Sequence, residues 1–334
     1  MKVTIYDVAE RANVSIATVS KVINSTGRIS EITSQRVKEV MEELNYKPSI
    51  VASALTSKKT GTIGLLVPDV SNPYFCEVCR RIEDWCRKYG YGVTICNTDN
   101  SDQKTVEYIE LLEQKGIDGL IISSTVQYKK EVIQNLLKNK VPFVLFSTVI
   151  RNLDTCAVTV DGYYGAHQAV EHLIDQGCQT IAFIGEEQWR SGARLRGYCD
   201  ALIEHGLKVD EDCVKYVTPT ISAGKIAIGE ILDSAKQIDA VFAFNDVLAV
   251  GVLKELQVRK IRVPEDIKIV GFDNTLLSEI TTPTLSTVAQ PVDEMAQKAV
   301  ELVIEGIKNP NTKTIKIEIT PELIIRESSQ KRSN

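Results

Sequence analysis

The stretch TIYDVAERANVSIATVSKVIN (residues 4–24) carries side chains that could read a base edge. Ile5, Val8, Ala9 and Ala12 recur at i, i+3, i+4 and i+7, the apolar face of a short helix. Asn13 interrupts the pattern, and Asn tolerates the left-handed backbone of a tight turn. Ser15 is placed to cap a second helix whose Val19, Val22 and Ile23 face inward. Its opposite face holds Ala17, Ser20, Lys21 and Asn24. These are small or polar residues with one cation, suited to close approach in a DNA major groove. The spacing predicts a helix-turn-helix.

Catalytic signatures are missing. The sequence contains no G-x-G-x-x-G, G-x-x-x-x-G-K-[ST], H-E-x-x-H or G-x-S-x-G. Its three histidines are His167, His172 and His205, and the first two lie five apart rather than at the i, i+4 spacing of a helical metal site. Cys76 and Cys79 form a C-x-x-C, but no second Cys or His pair follows at zinc-ligand spacing. Cys76, Cys79 and Cys86 are expected on one helix face as buried free thiols. Neither a cofactor nor a metal is called for, and no enzyme is expected.

The elements that must hold the DNA-reading face follow from charge and patterning. The 334 residues are 43% hydrophobic and 25% charged, enough for two or three folding units. Net charge is −5, unevenly spread. Residues 1–60 hold nine Lys/Arg against six acids, a balance of +3 that leaves −8 for the rest. The segment expected to meet phosphate is the positive one. No apolar run approaches a membrane span and the N-terminus has no signal core, so a cytoplasmic protein is expected.

A third helix is predicted from Ser30 or Thr33 to Leu44, with Val37, Val40, Met41 and Leu44 inward. SIVASALTSK (49–58) is helix-compatible but too short to stand alone, so it needs its copy in a dimer or DNA as a partner. From Gly61 onward, apolar runs at Ile63–Val67, Val93–Cys96, Gly119–Ile122, Phe143–Phe146, Ile181–Ile184, Ala240–Phe244 and Ile267–Val270 alternate with helical stretches. That pattern indicates an α/β body of doubly wound parallel sheets behind an all-α headpiece. The switch between two lobes falls near Val160–Gly162, with a return near Gln290–Pro291.

Several segments together resemble the LacI/GalR family of transcriptional regulators: the N-terminal stretch, ELNYKPSIVASALTSKKTGTIG, VPDVSNPYF, VDGYYGAHQAVEHL, RLRGYCDAL, VFAFNDVLAVGVLKEL, VPEDIKIVGFDN and TVAQP. The resemblance implies a helix-turn-helix headpiece (1–47), a hinge helix and linker (48–60), and a periplasmic-binding-protein-like effector and dimerisation domain (61–330). Its N-lobe would comprise about 61–160 and 291–320, and its C-lobe about 161–290 and 321–330. A homodimer is implied, and no tetramerisation helix is evident after the last strand.

By the same resemblance, Ile16, Ala17 and Lys21 match base-contacting positions, while Tyr6, Ser15, Thr18, Ser20, Asn24, Arg28, Ser30 and Thr33 match phosphate or groove positions. Lys21 could donate to guanine, and Ile16 and Ala17 could touch a thymine methyl. Capping is the simpler role for Ser15 and Thr18. Leu55 matches the hinge leucine that wedges into the central base step of a pseudo-palindromic double-stranded operator.

For the effector, the resemblance points to Asp69, Asn72, Tyr74 and Phe75 on the N-lobe wall, and to Asp161 and Gln290 at the crossovers. Arg194, Asn245 and Asp273 would hold hydroxyls. Asp246 is expected to cap the following helix. No aromatic ring stands at Thr218-Pro219-Thr220-Ile221, which leaves either Trp189 as a substitute platform or an effector that is not stacked, and admits acidic sugars, sugar phosphates or nucleosides beside a plain hexose. The function implied is a repressor of carbohydrate-utilisation genes, controlled by a sugar, sugar acid or sugar phosphate in the cleft. A solute-binding protein serving a transporter would explain the cleft but not the headpiece. Some members of the family also bind a phosphorylated carrier protein, and nothing in this sequence decides that.

Overall fold

Short helices need caps and a shared core to persist, and the first sixty residues supply both. The computed structural model describes residues 3–23, 26–46, 60–123, 136–139, 141–150, 154–186, 192–234, 237–310 and 312–330. The chain divides into two units, Met1–Gly61 and Thr62–Asn334. In the first, α1 (Ile5–Ala12), α2 (Ile16–Ile23) and α3 (Glu31–Glu43) form the helix-turn-helix and its supporting helix. The Asp7 carboxylate accepts both the backbone N–H and the hydroxyl of Thr4, each at 2.7 Å, and these bonds hold its pKa below the usual carboxylate value. Asn13 takes the left-handed conformation (φ 51°), as its place in the turn requires. Ser15 accepts the Thr18 N–H at 3.1 Å, and Ser30 accepts the Thr33 N–H at 3.2 Å. Val8, Ala9, Ala12, Val19, Val22, Val37 and Val40 close the core.

The second unit is two parallel-sheet lobes. One sheet has the order β11-β5-β4-β3-β1-β2, built from β1 (Thr62–Val67), β2 (Gly92–Asn97), β3 (Gly119–Ile122), β4 (Phe143–Phe146), β5 (Ala157–Val160) and β11 (Lys316–Ile319), parallel throughout. The other has the order β12-β10-β9-β8-β6-β7, from β6 (Ile181–Gly185), β7 (Val214–Tyr216), β8 (Ala240–Ala243), β9 (Lys268–Asp273), β10 (Ser286–Ala289) and β12 (Glu322–Ile324). Only β12 runs antiparallel to its neighbour. Parallel sheets must be covered on both faces. Helices α4 (Pro73–Lys88) and α11 (Val292–Lys308) cover one face of the first sheet, and α5 (Asp102–Gln114) the other. On the second sheet, α6 (Gly162–Asp175) and α7 (Gly192–Glu204) face α8 (Ile221–Asp233) and α9 (Asp246–Val258) across the strands. A short α10 (Leu276–Ile280) follows β9. The chain passes between sheets three times: after Val160, after Ala289 and after Ile319.

Five strands escape a search for continuous apolar runs. β5 has the half-buried Thr159 among its apolar residues, and β10 carries Ser286 and Thr287, which are fully buried because each is hydrogen-bonded. β7, β11 and β12 are three- or four-residue strands in which Lys215, Lys316, Glu318 or Glu322 interrupts the apolar run. One expectation needs correcting. Cys79 and Cys86 are buried, but Cys76 is exposed, and its thiol donates to the Val70 carbonyl at 2.9 Å. Position 76 is rotated off the buried stripe that i, i+7 shares.

Helices α8 and α9 approach closely at two glycines. A Cβ on Gly251 would sit 2.3 Å from the Ile221 carbonyl oxygen, and one on Gly224 would sit 2.5 Å from that of Leu248. Neither backbone can yield without parting the helices. Gly251→Ala is therefore expected to lower stability by about 1–3 kcal/mol. Gly192→Ala, where the space is open, should change it by less than about 0.5 kcal/mol. Urea unfolding of the two variants checks the contrast.

Candidate functional site

Strands of the second sheet end together, and their ends carry the polar residues. Gly185 pairs with Tyr216, and Ile184 with Ala243. Glu186, Phe244–Asn245 and Asp273 therefore emerge along one edge, where open α/β sheets place ligands. Arg194 reaches this edge from the first turn of α7. One of its terminal amines donates to the Phe244 carbonyl, and Nη2 lies 3.7 Å from Asp273 Oδ1. Its guanidinium carbon stacks 3.6 Å from the Phe272 ring centre and 4.2 Å from that of Phe244. An arginine can be buried here because its planar cation gains from the ring faces what it loses from water.

The arrangement extends into the first lobe. Gln290, at the second crossover, donates through Nε2 to Asp273 Oδ1 at 2.7 Å. Its Oε1 accepts the Tyr74 hydroxyl at 3.0 Å, and Tyr74 also lies 2.9 Å from Ser147 Oγ. Tyr74, Gln290, Asp273 and Arg194 thus form one hydrogen-bonded and ion-paired chain across both lobes.

Burial dominates its electrostatics. It pushes Asp273 up to about 7, with Asp246 and Glu186 adding to the rise and Arg194 opposing it. Asp246 is raised to about 6 by burial, against the bonds it receives from Thr287 and Thr275. Burial also raises Tyr74 and lowers Arg194, which stays a cation.

The remaining sequence-predicted effector residues have local partners. Asp69 accepts the N–H and O–H of Ser71 at 2.8 and 2.7 Å. Asn72, Asp161 and Asn245 cap α4, α6 and α9 by accepting the N–H of Tyr74, Tyr164 and Leu248. Phe75 packs edge-on against Tyr74, with centroids 5.0 Å apart. Asn245 takes the cap expected of Asp246, whose fully buried carboxylate instead points beneath β9 and β10. Trp189 lies outside the described residues, as do Asn24 and Leu55.

Sequence reasoning passed over Ser147, Glu186, Phe244, Phe272 and Tyr216. An aromatic residue, Tyr216, stands two places before residues 218–221. Tyr216 lines a cavity of about 450 Å³ with Glu186, Val217, Thr218, Pro219 and Ala223. A three-residue strand (β7) carries too little periodicity to have signalled it.

On the helix-turn-helix, Tyr6, Ile16, Ala17, Lys21, Arg28 and Ser30 are exposed. The Ser15 and Thr18 hydroxyls lie 2.9 Å apart and those of Ser30 and Thr33 2.8 Å apart, so capping engages all four. Ser20 is half-buried. Among the described residues no three His, Cys, Asp or Glu could hold a metal ion. His167 pairs with Glu204 and Glu171, and His172 is hydrogen-bonded to Ser329.

The family model described as bacterial regulatory proteins, lacI family, matches residues 4–49, and a periplasmic binding protein-like domain matches residues 170–329. The HTH-type transcriptional regulator DegA of Bacillus subtilis (strain 168) is 37% identical over 333 residues, 98% of each chain. The lac repressor dimer bound to operator and the anti-inducer ONPF shares the fold, with TM-score 0.88 over 98% of this chain and 99% of that one at 24% identity. A transcriptional regulator CelR–cellobiose complex superposes with TM-score 0.73 at 28% identity, covering 98% and 100%. Among the described residues no helix is long and apolar enough to cross a membrane.

The two raised carboxyls make stability depend on pH in a defined direction. Between about pH 4, where a free carboxyl titrates, and pH 7, the folded chain holds protons that the unfolded chain has released. Their contribution therefore falls as pH rises through this window. Asp273→Asn removes one of the two titrations. Its unfolding free energy should vary less between pH 4.5 and 7 than that of the wild-type chain, as urea titrations at each pH will show. An unchanged slope would contradict the burial argument.

Proposed function

The chain belongs to the LacI family of bacterial transcription regulators, and from that premise we propose that it represses carbohydrate-utilisation genes under the control of an uncharged, polyhydroxylated effector. It is a DNA-binding regulator and not an enzyme. The observation that carries the effector proposal is the buried chain from Tyr74 through Gln290 and Asp273 to Arg194. Its carboxylate, amide and guanidinium are paired donors and acceptors of the kind that vicinal hydroxyls replace one for one.

The charge balance argues for a neutral ligand over a sugar acid or sugar phosphate. Arg194 is already matched by Asp273, and Asp246 and Glu186 add negative charge within its reach. An anion here would meet three acidic groups for one guanidinium, and those acids would have to hold protons for it to bind. The Tyr216 cavity, which shares Glu186 with the strand-end edge, offers an aromatic residue and hydroxyls. That the structural neighbour CelR was solved with cellobiose supports a sugar of this kind.

In this proposal Lys21, Ile16 and Ala17 read base edges, and Tyr6, Ser15, Thr18, Ser20, Asn24, Arg28, Ser30 and Thr33 contact phosphate or groove. Leu55 wedges the central step of a pseudo-palindrome bound by a homodimer. Asp69, Asn72, Tyr74, Phe75, Asp161, Trp189, Arg194, Asn245, Asp273 and Gln290 surround the effector. The effector controls operator affinity by binding one lobe arrangement more tightly than the other.

The test is to select DNA from a random pool with the purified full chain. Titration of the selected site against neutral mono- and disaccharides, sugar acids and sugar phosphates then follows. A palindrome whose affinity changes at least about tenfold with a neutral sugar, a coupling of ordinary allosteric size, is the expected result. Response to anionic sugars alone would overturn the charge argument, and no enriched sequence would overturn the regulator proposal.

A further inference from the structure

Asp273 stands on a backbone that resists holding it. Its φ is 109° and that of Asn274 is 55°, two consecutive non-glycine residues in the left-handed half of conformational space. Such residues persist only where their surroundings over-determine them. What surrounds this turn is a polar network that the effector chemistry does not use.

Two groups grip it from opposite sides. Beneath the turn is Asp246, fully buried at the start of α9. Its Oδ2 accepts the Thr275 N–H at 2.7 Å and the Thr275 hydroxyl at 3.0 Å, and its Oδ1 accepts the Thr287 hydroxyl at 2.6 Å. Thr287 Oγ1 in turn accepts the Asn274 N–H at 3.2 Å. From the C-terminal side comes Arg326, just past β12. Its Nη2 donates to Asn274 Oδ1 at 2.8 Å, and its Nη1 donates to the Leu285 carbonyl at 2.9 Å and to Ser278 Oγ at 3.2 Å. The Arg326 backbone is itself tied to Ser286, which donates to the Arg326 carbonyl and accepts the Arg326 N–H.

We propose that Arg326, anchored by the C-terminal segment and opposed by Asp246, is a positioning residue. Together they hold the Asp273–Asn274 turn so that the Asp273 carboxylate meets Gln290 and Arg194. Arg326 touches none of the residues assigned to the effector directly; it acts on Asp273 through the side chain of its neighbour. A planar guanidinium suits the task because its fork holds three acceptors on three segments at fixed angles. This proposal rests on the effector site lying at Asp273, but it has a test that needs no effector.

Hydrogen exchange on the full chain without ligand supplies that test. In Arg326→Met, amides of residues 273–277 are expected to exchange at least about tenfold faster, while those of β6 and β8 keep their rates. Thr287→Val, which breaks the relay from Asp246 to Asn274, should do the same; it serves if Arg326→Met does not fold. Unchanged exchange at residues 273–277 in both variants, or a uniform rise across the sheet, overturns the proposal.

A binding cycle reads the consequence for Asp273, with cellobiose as the probe. If Arg326 acts through Asp273, Arg326→Met weakens binding at least about fivefold in the wild-type chain. It has no further effect in the Asp273→Asn background. Losses that multiply independently would reduce Arg326 to a general stabiliser. Absence of cellobiose binding by the wild-type chain counts against the effector reading, and the exchange result then decides the positioning claim alone.

Discussion

A guanidinium buried between two aromatic rings and matched by one carboxylate is the constraint on which the second unit turns. Desolvating an arginine and an aspartate is costly unless their geometry is good and their remaining donors and acceptors are filled. Here Asp273 takes a second bond from Gln290, Arg194 gives one to the Phe244 carbonyl, and Phe272 and Phe244 cover the cation. Each requirement fixes a piece of fold. Phe272 and Asp273 must end β9, Phe244 must follow β8, Gln290 must sit where the chain leaves the second sheet, and Tyr74 must open α4 in the first. The site is therefore the point where two sheets and a crossover meet. In the proposed function, a ligand that replaces these bonds changes the relation between the lobes.

The same burial explains the acidic character of the site. Two carboxyls and one guanidinium share a space with little water, so the carboxyls hold protons above their ordinary range. The N-terminal unit has the opposite balance, with basic residues in excess over acids in the first sixty positions. Charge is therefore segregated along the chain, positive in the first sixty residues and negative in the rest.

Much of this was legible in the residues. The headpiece helices follow from apolar spacing, a capping serine and one asparagine in a turn, because short helices advertise their caps. The central strands follow from Val/Ile/Leu runs, since strands buried on both faces leave no room for alternation. Legibility ends where burial is polar. β10 hides Ser286 and Thr287 in the core, and a pattern search treats hydroxyls as surface. Asn245 and Asp246 are adjacent carboxamide and carboxylate at a helix start, either able to cap. Only the position of Thr275 and Thr287, far along the chain, decides that Asp246 turns inward. Tyr216 escaped for a related reason, because its strand is paired on one side only and is three residues long. The left-handed turn at Asp273 and Asn274 has no local signal beyond the asparagine.

In the proposed function Arg194 is an effector contact through which a sugar changes operator affinity. The most direct measurement is the operator affinity of the full-length Arg194→Ala chain, with and without the sugar to which the wild type responds. The account predicts that affinity without sugar stays within about threefold of wild type and that the response to sugar disappears, a loss the size of the whole coupling. A variant that still releases, or still tightens on, its operator when the sugar is added would contradict the account.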